Sequence, residues 1–306
     1  MDINIITSRI KEICKSYGFF KIGISKAEPL AKESEYLKQW LAQGRNADMD
    51  WLLQSSEKRI DPALVLPDVK SIISLAYLYN TPFTHSDSPD IPKISRYAWG
   101  NGDYHKVIKK KLKEICKSIE LFLAGTDVKM LYYVDDAPMM EKRWAVKSGL
   151  GWQGKNTVVI NPEYGSFFFI AEILINVELE ADEPIEDLCR KCKLCMKSCP
   201  TGALYEEYKL DANLCIAYHT IENSKEIPDN INLNNWIFGC DICQDVCPYN
   251  KKKFFTIDKS FHPKENIFNK TREELLKITE EEFNTEFTGT PIKRGKYERW
   301  RRNLEK

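Results

Sequence analysis

The stretch Cys189-Arg-Lys-Cys192-Lys-Leu-Cys195-Met-Lys-Ser-Cys199-Pro200 decides how the carboxyl-terminal part of this chain folds. Its four cysteines have the spacing C-x2-C-x2-C-x3-C, and a proline follows the last of them. A shorter run at residues 240–248 has the spacing C-x2-C-x3-C and also ends in proline. Such short intervals bring several thiolates around one small volume, which is typical of a metal centre.

The spacing is the one known from bacterial ferredoxins. There, three cysteines of a run bind one [4Fe–4S] cluster and the fourth binds the neighbouring cluster. Two clusters need eight thiolates; the two runs contain seven, and Cys215 lies between them. The crossing rule predicts a first cysteine group (Cys189, Cys192, Cys195 and Cys247) and a second cysteine group (Cys199, Cys215, Cys240 and Cys243), one for each cluster.

Two zinc sites, or a set of disulfides, are the alternatives. Zinc sites usually pair one C-x2-C with a distant C-x2-C, which the extra x3-C-P in both runs fits poorly. Disulfides persist mainly in exported proteins, and the start of the chain has neither the basic segment nor the apolar run of a signal peptide. We therefore interpret the cysteines as ligands of two [4Fe–4S] clusters. Cys14 and Cys116, outside the runs, are predicted to be core residues.

Composition and charge are those of a water-soluble globular protein. The chain has 306 residues, of which 43% are hydrophobic and 29% charged, and its net charge is zero. The longest apolar stretch, residues 167–177, contains Glu172 and is too short to cross a bilayer. These features predict a cytoplasmic monomer without membrane association. They exclude a chain that attracts polyanions through net charge alone.

The chain divides into three predicted parts of an α+β protein. Residues 1–178 are predicted to form a mixed α/β domain. Residues 188–255 are predicted to form a ferredoxin-like domain with two [4Fe–4S] clusters, and residues 256–306 a short helical basic tail. Between the first two parts, residues 178–187 carry six acidic and no basic side chains. We interpret this segment as a solvated linker.

Hydrophobic periodicity locates the secondary structure of the first domain. Helices are predicted over residues 4–17, 30–43, 103–123 and 139–148, and in the tail over 271–277 and 292–304. Strands are predicted over 20–25, 70–79, 130–134, 157–160 and 167–177, with a turn at 161–165 joining the last two. Residues 81–92 contain three prolines and are predicted to be a loop.

The glycine-rich segment Gly149-Leu-Gly-Trp-Gln-Gly154-Lys-Asn156 satisfies the pattern G-x-G-x-x-G. Nucleotide-binding versions of that pattern need a strand before the glycines and a helix after them. The predicted order is the reverse, so neither a dinucleotide fold nor a P-loop is supported. Gly149 is predicted to follow the end of a helix. The other glycines can let the backbone approach a bulky ligand closely.

Asp135 and Asp136 stand between a predicted strand and a predicted helix. Asp136, close to Pro138, suits capping of that helix. The alternative is a catalytic carboxyl group at the end of the strand. Beside an apolar cofactor, burial would raise the proton affinity of such a group and let it act as a general acid.

Basic residues gather in two places. One set is Lys106, Lys109, Lys110, Lys111 and Lys113; the other, near the carboxyl terminus, is Lys293, Arg294, Lys296, Arg299, Arg301 and Arg302. Each set fits a solvated helix face as well as a nucleic-acid contact. Charge alone does not decide between them.

Several stretches together resemble the epoxyqueuosine reductases, which complete queuosine synthesis in tRNA. They are Lys58-Arg-Ile-Asp-Pro62, Tyr97-Ala-Trp-Gly100, Asp103-Tyr-His105, Val134-Asp-Asp-Ala-Pro138, the run from Glu141 to Asn156, the segments 215–222 and 239–250, and the tail segment 290–296 with Arg302-Asn303. The resemblance covers nearly the whole chain.

The resemblance implies a base-off cobalamin between the first domain and the cluster domain, with Asp135 as the proton donor. It implies cofactor-binding roles for Arg59, Tyr97, Asp135, Gly154, Lys155 and Asn156, and nucleic-acid contacts for Arg143, Lys293, Arg294 and Lys296. The implied substrate is tRNA carrying epoxyqueuosine, and the implied electron source is an external low-potential donor.

Two departures from the family pattern stand out. The family usually has Thr-Gly where this chain has Asp136-Ala137, so a second carboxyl group lies beside Asp135. If both are buried, their titrations would be coupled. Many members also continue into helical repeats, whereas this chain stops at Lys306. The rival classes are another corrinoid iron–sulfur reductase, such as a reductive dehalogenase, and a ferredoxin-type electron carrier without catalytic activity.

Overall fold

The structure, a computed structural model, describes residues 2–252 and 254–306. Its helices are α1 (Ile3–Ser16), α2 (Ala31–Ala42), α3 (Trp51–Gln54), α4 (Ser56–Ile60), α5 (Tyr104–Phe122), α6 (Glu141–Lys147), α7 (Leu194–Ser198), α8 (Ile216–Ile221), α9 (Ile242–Asp245), α10 (Arg272–Leu276), α11 (Glu280–Glu286) and α12 (Lys296–Glu305). Its strands are β1 (Lys21–Lys26), β2 (Ser71–Leu78), β3 (Lys93–Ile94), β4 (Met130–Tyr133), β5 (Trp152–Gln153), β6 (Val159–Ile160), β7 (Phe168–Ile175) and β8 (Trp236–Phe238). Short 3₁₀ turns lie at Pro62–Leu64, Arg96–Ala98, Ala212–Leu214, Pro248–Lys251, Lys259–Phe261 and Pro291–Gly295. This mixture confirms the predicted α+β class.

A four-stranded antiparallel sheet in the order β1-β2-β7-β4 forms the centre of the amino-terminal half. Its middle strands, β2 and β7, are apolar along most of their length because helices cover both faces. On one face Ile73 and Ile173 join the core that α1 and α5 complete. On the other face Ile72 and Leu174 pack with Trp144 of α6. The sheet therefore fixes α5 and α6 on opposite sides of its own end strand, β4.

Helices α1 and α5 bury their apolar stripes on the sheet. Ile10 and Cys14 of α1 are fully buried, and Cys116 of α5 is nearly so, which confirms both cysteines as core residues. Helix α5 begins after Asp103, whose carboxylate accepts the backbone N–H of His105 at 3.0 Å. This cap places the first turn of α5 beside the loop that follows β4.

The tail forms a core with two earlier segments of the chain. Trp99, Phe238, Phe283, Phe287 and Trp300 are among its buried residues. Helices α10 and α11 each begin with a capping box, in which a threonine hydroxyl and a glutamate three residues later exchange hydrogen bonds with the backbone. The predicted tail helices are present as α10 and α12. Helix α11 was not predicted because its short, acidic sequence shows little apolar periodicity.

Asn303 attaches α12 to the cluster domain. Its side-chain amide donates to the backbone carbonyls of Thr220 and Ile237, both at 2.9 Å, and the residue is buried. An amide that satisfies two buried carbonyls replaces hydrogen bonds that water would otherwise make. The side chain of Asn303 thus joins the tail to the backbone of the cluster domain.

The central region agrees in part with the predictions. Strands β6 and β7 are joined by a turn, as predicted, and they lie in different sheets, since β6 pairs with β5 and β7 pairs with β2 and β4. The short helices α3 and α4 were not predicted. The linker 178–187 contacts the first domain: Leu179 is buried, and the Asp182 carboxylate accepts from Ile24 N–H at 2.8 Å and from Lys11 Nζ at 2.6 Å. Its other five acidic residues are exposed, so the segment is solvated outside such contacts.

The glycine-rich segment is a β-hairpin. Gly154 N–H donates to the Val158 carbonyl at 2.8 Å, closing the turn between β5 and β6. Gly149 follows the end of α6 with φ +71°, where a Cβ atom would lie 2.5 Å from the Glu183 carbonyl oxygen. Both the predicted helix end and the rejection of a P-loop are confirmed. Within residues 2–252 and 254–306, no helix has the length and apolar character needed to cross a membrane.

Candidate active site

In the structure the seven cysteines of the two runs and Cys215 approach one another. Burial, and then the proximity of the Cys189, Cys192 and Cys247 thiols, raises the pKa of Cys195. Cys247 has Cys189 and Cys192 as its thiol neighbours. This arrangement brings together the first cysteine group although its members come from two distant runs.

The second cysteine group is assembled in the same way, and it is more deeply buried. Burial is the main cause that raises the pKa of Cys240, with the Cys215 and Cys199 thiols as further contributors. Cys243 is also raised by burial, and it faces Cys240 and Cys215 as well as Cys195 of the first group. Cys215, which neither run contains, therefore belongs to this group, and Cys243 faces both groups.

The donor set fits two clusters. All ten cysteines are free thiols. Among the described residues, no three Cys, His, Asp or Glu side chains approach closely enough to hold a single metal ion. A cubane distributes four thiolates over four separate iron atoms. Two groups of four thiols supply the eight ligands that two cubanes need.

Local structure explains why the runs can bring these thiols together. In each run one cysteine lies within a single helical turn, Cys195 in α7 and Cys243 in α9, and these two turns pack on each other. The proline after Cys199 and after Cys247 follows a residue in extended conformation, which ends the turn and redirects the chain. The two runs thus form similar loops that pack on each other. The last cysteine of each run lies in the group formed mainly by the other run.

Asp135 lies at the end of β4 in a left-handed backbone conformation, with φ +55°. Its backbone N–H donates to Glu141 Oε1 at 2.8 Å, and its carboxylate accepts a short hydrogen bond from the Tyr104 hydroxyl. The Asp135 side chain is exposed. A non-glycine residue in this conformation persists only where its surroundings hold it. The contacts with Tyr104 and Glu141 do so here.

Packing fixes the position of the Tyr104 ring independently of its hydrogen bond to Asp135. Its ring stacks on Phe169 of β7, with centroids 4.4 Å apart. Burial and then the charge of Asp135 raise the pKa of Tyr104, so the phenol stays protonated and acts as the donor. Tyr104, the middle residue of the motif Asp103-Tyr-His105, was not predicted to have a role in the site. In the structure it supplies the contact to Asp135.

A second carboxyl group lies behind Asp135. Burial, and then the charge of Asp135, raises the pKa of Glu141 to about 8. Glu172 of β7 is fully buried on the α6 side of the sheet, and both of its carboxylate oxygens lack a hydrogen-bond partner among the described residues. Burial, and then the proximity of Glu141, raises the pKa of Glu172 well above its ordinary value. Sequence reasoning missed both groups.

Asp136 behaves differently from either expectation. Its carboxylate pairs with Lys109 of α5 and accepts the Val134 N–H at 3.2 Å. Helix α6 has Met140 at its N-cap, with no side-chain hydrogen bond there, so the prediction that Asp136 caps that helix is wrong. Asp136 closes the turn of its own loop instead. The buried acid nearest to Asp135 is Glu141.

Further polar groups converge on the open side of Asp135. Asp103 accepts from His105 Nδ1 at 2.6 Å, and the other ring nitrogen of His105 faces the Arg294 guanidinium at 3.0 Å. Glu222 is solvent-accessible, but partial burial and the charge of Asp135 raise the pKa of its carboxyl group. A cationic and several anionic side chains thus face one cleft. Glu222 ends the segment 215–222, one of those that resemble the family, but it was not predicted to be a site residue.

Tyr97 is tied to the second cysteine group by a buried ion pair. Asp241, fully buried beside Cys240, accepts from the backbone N–H of Arg96 at 2.8 Å and from its guanidinium at 3.1 Å. Gly239 has φ +69°, and a Cβ atom there would lie 2.5 Å from Ser95. The neighbouring Tyr97 ring packs on Tyr104 and Phe238, and the negative charge of Asp135 adds to burial in raising the pKa of Tyr97.

The remaining cofactor-binding candidates occupy two regions. Arg59 is close to Asp135 and Glu141, and donates to the Met139 carbonyl at 3.2 Å. Gly154, Lys155 and Asn156 lie in the β5–β6 hairpin near the cysteines.

In that hairpin a Cβ atom on Gly154 would lie 2.5 Å from Ile160, so protein packing already requires this glycine. Lys155 is buried and donates to the Arg190 carbonyl at 2.6 Å. Asn156 donates to the Cys243 carbonyl at 3.1 Å, while its own side-chain oxygen has no partner among the described residues. That unpaired oxygen is the feature of the hairpin that suits an additional ligand.

The predicted nucleic-acid residues differ in accessibility. Lys293, Arg294 and Lys296, here called the tail cations, lie around the start of α12, and Arg294 and Lys296 are exposed. Lys293 contacts Asn284. Arg143 instead lines a cavity and pairs with Glu33 at 2.6 Å. The three arginines that follow in α12, at positions 299, 301 and 302, donate to backbone carbonyls of neighbouring segments.

Comparison with known proteins agrees with this geometry. Residues 188–250 match the family described as "4Fe-4S double cluster binding domain", and residues 59–136 match the family described as "Epoxyqueuosine reductase QueG, DUF1730". The fold and the site thus define an iron–sulfur oxidoreductase. An epoxyqueuosine reductase of Atelocyanobacterium thalassa is 41% identical over 306 residues, covering 98% of each chain. This chain belongs to the epoxyqueuosine reductase family.

Two solved structures extend the comparison. An epoxyqueuosine reductase crystallised with an epoxyqueuosine-modified tRNA-Tyr stem loop superposes with a TM-score of 0.86 at 30% identity, covering 99% of this chain and 80% of that one. A reductive dehalogenase described with B12-dependent dehalogenation has a TM-score of 0.51 at 16% identity, covering all of this chain and 38% of that one. The second likeness shows a shared fold alone.

Proposed function

We propose that this enzyme reduces epoxyqueuosine to queuosine in the anticodon loop of a tRNA, with Asp135 as the proton donor and a base-off cobalamin beside the second cysteine group. The observation that carries the proposal is the position of Asp135. It is exposed, and its loop is held by Tyr104 and Glu141. The Tyr97 ring packs edge-to-face on Tyr104, with centroids 6.0 Å apart.

The overall reaction sets what the site must supply. Removing the epoxide oxygen as water and forming the alkene breaks two C–O bonds and consumes two electrons and two protons. When bound, the two clusters supply electrons one at a time, and the cobalamin supplies the low-potential centre at which the substrate is reduced. The protein must deliver a proton to the departing oxygen and keep the reacting groups aligned.

The side chains around Asp135 suit those tasks. The Tyr104 hydroxyl orients the Asp135 carboxyl group, and Glu141 holds the backbone of its loop. In our proposal, Asp135 donates a proton to the oxygen that leaves the ring. Arg294, whose guanidinium also contacts His105, offers donors to the hydroxyl groups or phosphates of a nucleotide beside Asp135.

Two observations support a cobalamin site. The side-chain oxygen of Asn156 is buried without a partner, and Arg59 brings a half-buried cation close to Asp135 and Glu141. We propose that Arg59, Tyr97 and Asn156 contact this cofactor.

The tRNA assignment rests on the relative crystallised with a modified stem loop and on the tail cations. Exposed Arg294 contacts His105, which is adjacent to the Asp135 partner Tyr104, and exposed Lys296 lies two residues farther along the chain. An anticodon base must leave its loop to reach Asp135, as bases in single-stranded RNA readily do. Cations at the cleft edge would then hold the phosphates that flank it.

The test is mass spectrometry of tRNA nucleosides after anaerobic incubation with cobalamin, a strong reductant and enzyme with both clusters. Conversion of epoxyqueuosine to queuosine supports the proposal, and omission of cobalamin should abolish it. Reduction of a haloaromatic compound with no action on tRNA would favour the dehalogenase alternative. Failure to take up any corrinoid would favour a plain electron carrier.

A further inference from the structure

The surface around the first cysteine group carries a feature that catalysis at Asp135 does not use. Cys192 is exposed, and Leu194 beside it is 45% exposed. By contrast, Cys199, Cys215, Cys240 and Cys243 of the second group are only partly accessible. Among the eight cysteines of the two groups, Cys192 is therefore the one that is open to the surface.

Cations surround the exposed site. Between residues 188 and 200 there are four basic side chains and no acidic ones. Arg190, Lys191 and Lys197 are exposed and form no ion pair among the described residues. Lys251, also exposed, is contributed by the turn that follows Cys247. We call Arg190, Lys191, Lys197 and Lys251 the cationic rim.

Two acidic side chains close in sequence have internal partners. Glu207 bridges Lys155 and Lys193, at 3.2 and 2.8 Å. The Asp187 carboxylate accepts from the backbone N–H of Cys189 at 2.7 Å and from the Tyr208 hydroxyl, neutral donors that do not cancel a carboxylate charge. Glu186 beside it is exposed and forms no ion pair among the described residues. The four cations of the rim therefore outnumber the two acids, Asp187 and Glu186, that have no cationic partner there.

The rim is also held in shape. Buried Lys155 donates to the carbonyl of Arg190, which has φ +45° and is thereby kept in a left-handed conformation. A rigid, charged border around a small apolar centre suits a transient protein contact. Electron-transfer encounters bury little area and depend on electrostatic attraction for their rate.

We propose that the cationic rim around Cys192 is the docking site for a small acidic protein that carries one electron at a time, on a flavin or an iron–sulfur centre. This deepens the proposed function, because it names the class of the external electron donor and the cluster at which electrons enter. Each encounter oxidises the carrier by one electron and reduces the first cluster by one. Two encounters supply the two electrons of one turnover.

The experiment measures cluster reduction, a readout that requires neither tRNA nor cobalamin. Enzyme with both clusters is mixed anaerobically with reduced flavodoxin, an acidic carrier, and bleaching of the cluster absorbance is followed by stopped flow. We expect the second-order rate constant to fall steeply as salt rises, because screening weakens attraction between charged surfaces. The double variant Lys191→Glu with Lys197→Glu should lower the low-salt rate constant about tenfold and flatten its salt dependence.

Controls separate docking from damage to the cluster. The variant Lys15→Glu with Lys21→Glu changes two exposed lysines of the first domain by the same net charge, and its rate should stay within about twofold of the unmodified enzyme. Reduction by methyl viologen radical, a small cation that needs no docking site, should not slow in any variant. If the double variant binds less iron, Lys251→Glu, outside the ligand run, serves in its place with a smaller expected loss.

An unchanged flavodoxin rate in the Lys191/Lys197 and Lys251 variants would overturn the proposal. So would a loss of tRNA affinity with an unchanged reduction rate, which would assign the rim to nucleic acid. Because cluster bleaching needs no tRNA, failure of queuosine formation leaves this test intact. The two proposals can therefore fail separately.

Discussion

The hydrogen bond from the Asp135 N–H to Glu141 gives a sharp test of how the reactive loop is held. Glu141→Ala removes the acceptor that stands 2.8 Å from this N–H. A hydrogen bond of this kind contributes about 0.5–1.5 kcal/mol net, and it offsets a left-handed conformation that costs roughly 1–3 kcal/mol. Since 1.4 kcal/mol corresponds to a factor of ten in rate, we expect kcat to fall roughly tenfold. KM for tRNA should change little, because Glu141 lies behind the cleft.

The matched control is Glu141→Gln, which keeps a side-chain oxygen at the same place. Single-turnover conversion of epoxyqueuosine tRNA by pre-reduced enzyme should be within about threefold of normal for this variant. If Glu141→Ala kept full kcat, the loop would not depend on this bond. If Gln were as damaging as Ala, the acceptor would not be what matters.

The same pair of variants predicts a pH effect. Burial and the charge of Asp135 raise the pKa of Glu141 to about 8. Below that pH the carboxyl group is mostly neutral; above it a negative charge develops beside Asp135. That charge disfavours loss of the Asp135 proton, so we expect the kcat of the unmodified enzyme to fall less steeply above pH 8 than that of the Gln variant. Superimposable pH profiles for the two enzymes would exclude Glu141 as the source of the difference.

Four further predictions concern other parts of the site. Asp135→Asn, which tolerates the same left-handed backbone, should keep both clusters and abolish turnover, whereas normal turnover would remove Asp135 as the acid. Cys215→Ala should lose about half of the bound iron by chemical assay, because one of two cubanes loses a ligand; full retention would contradict its place in the second group. Neutralising the tail cations should weaken tRNA binding and reduce its log–log salt slope by about one unit per lost phosphate contact, and an unchanged slope would return them to a solvated face. Glu172 has a raised pKa in the folded state, so the unfolded chain releases its proton first and stability falls as pH rises above the ordinary value of 4.5. The free energy of unfolding, measured by thermal unfolding at pH 6 and pH 8, should therefore differ less between the two pH values for Glu172→Gln than for the unmodified enzyme. The reduction should reach up to about 1.4 kcal/mol per pH unit.

Patterns that are local in the chain were sufficient for much of the fold and for the cysteine groups. Strands β2 and β7 and helices α1 and α5 follow from short-range periodicity, which reports which side of an element is buried. The grouping of thiols followed from spacing, because a cysteine run can reach only a limited volume. Even Cys215, outside both runs, could be assigned by counting the thiolates that two cubanes require.

The sequence by itself therefore determined the kind of redox centre and the class of fold. The tertiary structure decided which side chains surround Asp135. Tyr104, Glu141 and Arg294 meet this loop from α5, α6 and the tail, and Glu172 lies behind it in the sheet. The physical reason is that these groups act across the space between elements that are distant in the chain. Spacing along the chain carries no signal for such contacts, whereas packing of the sheet, α6 and the tail brings them together.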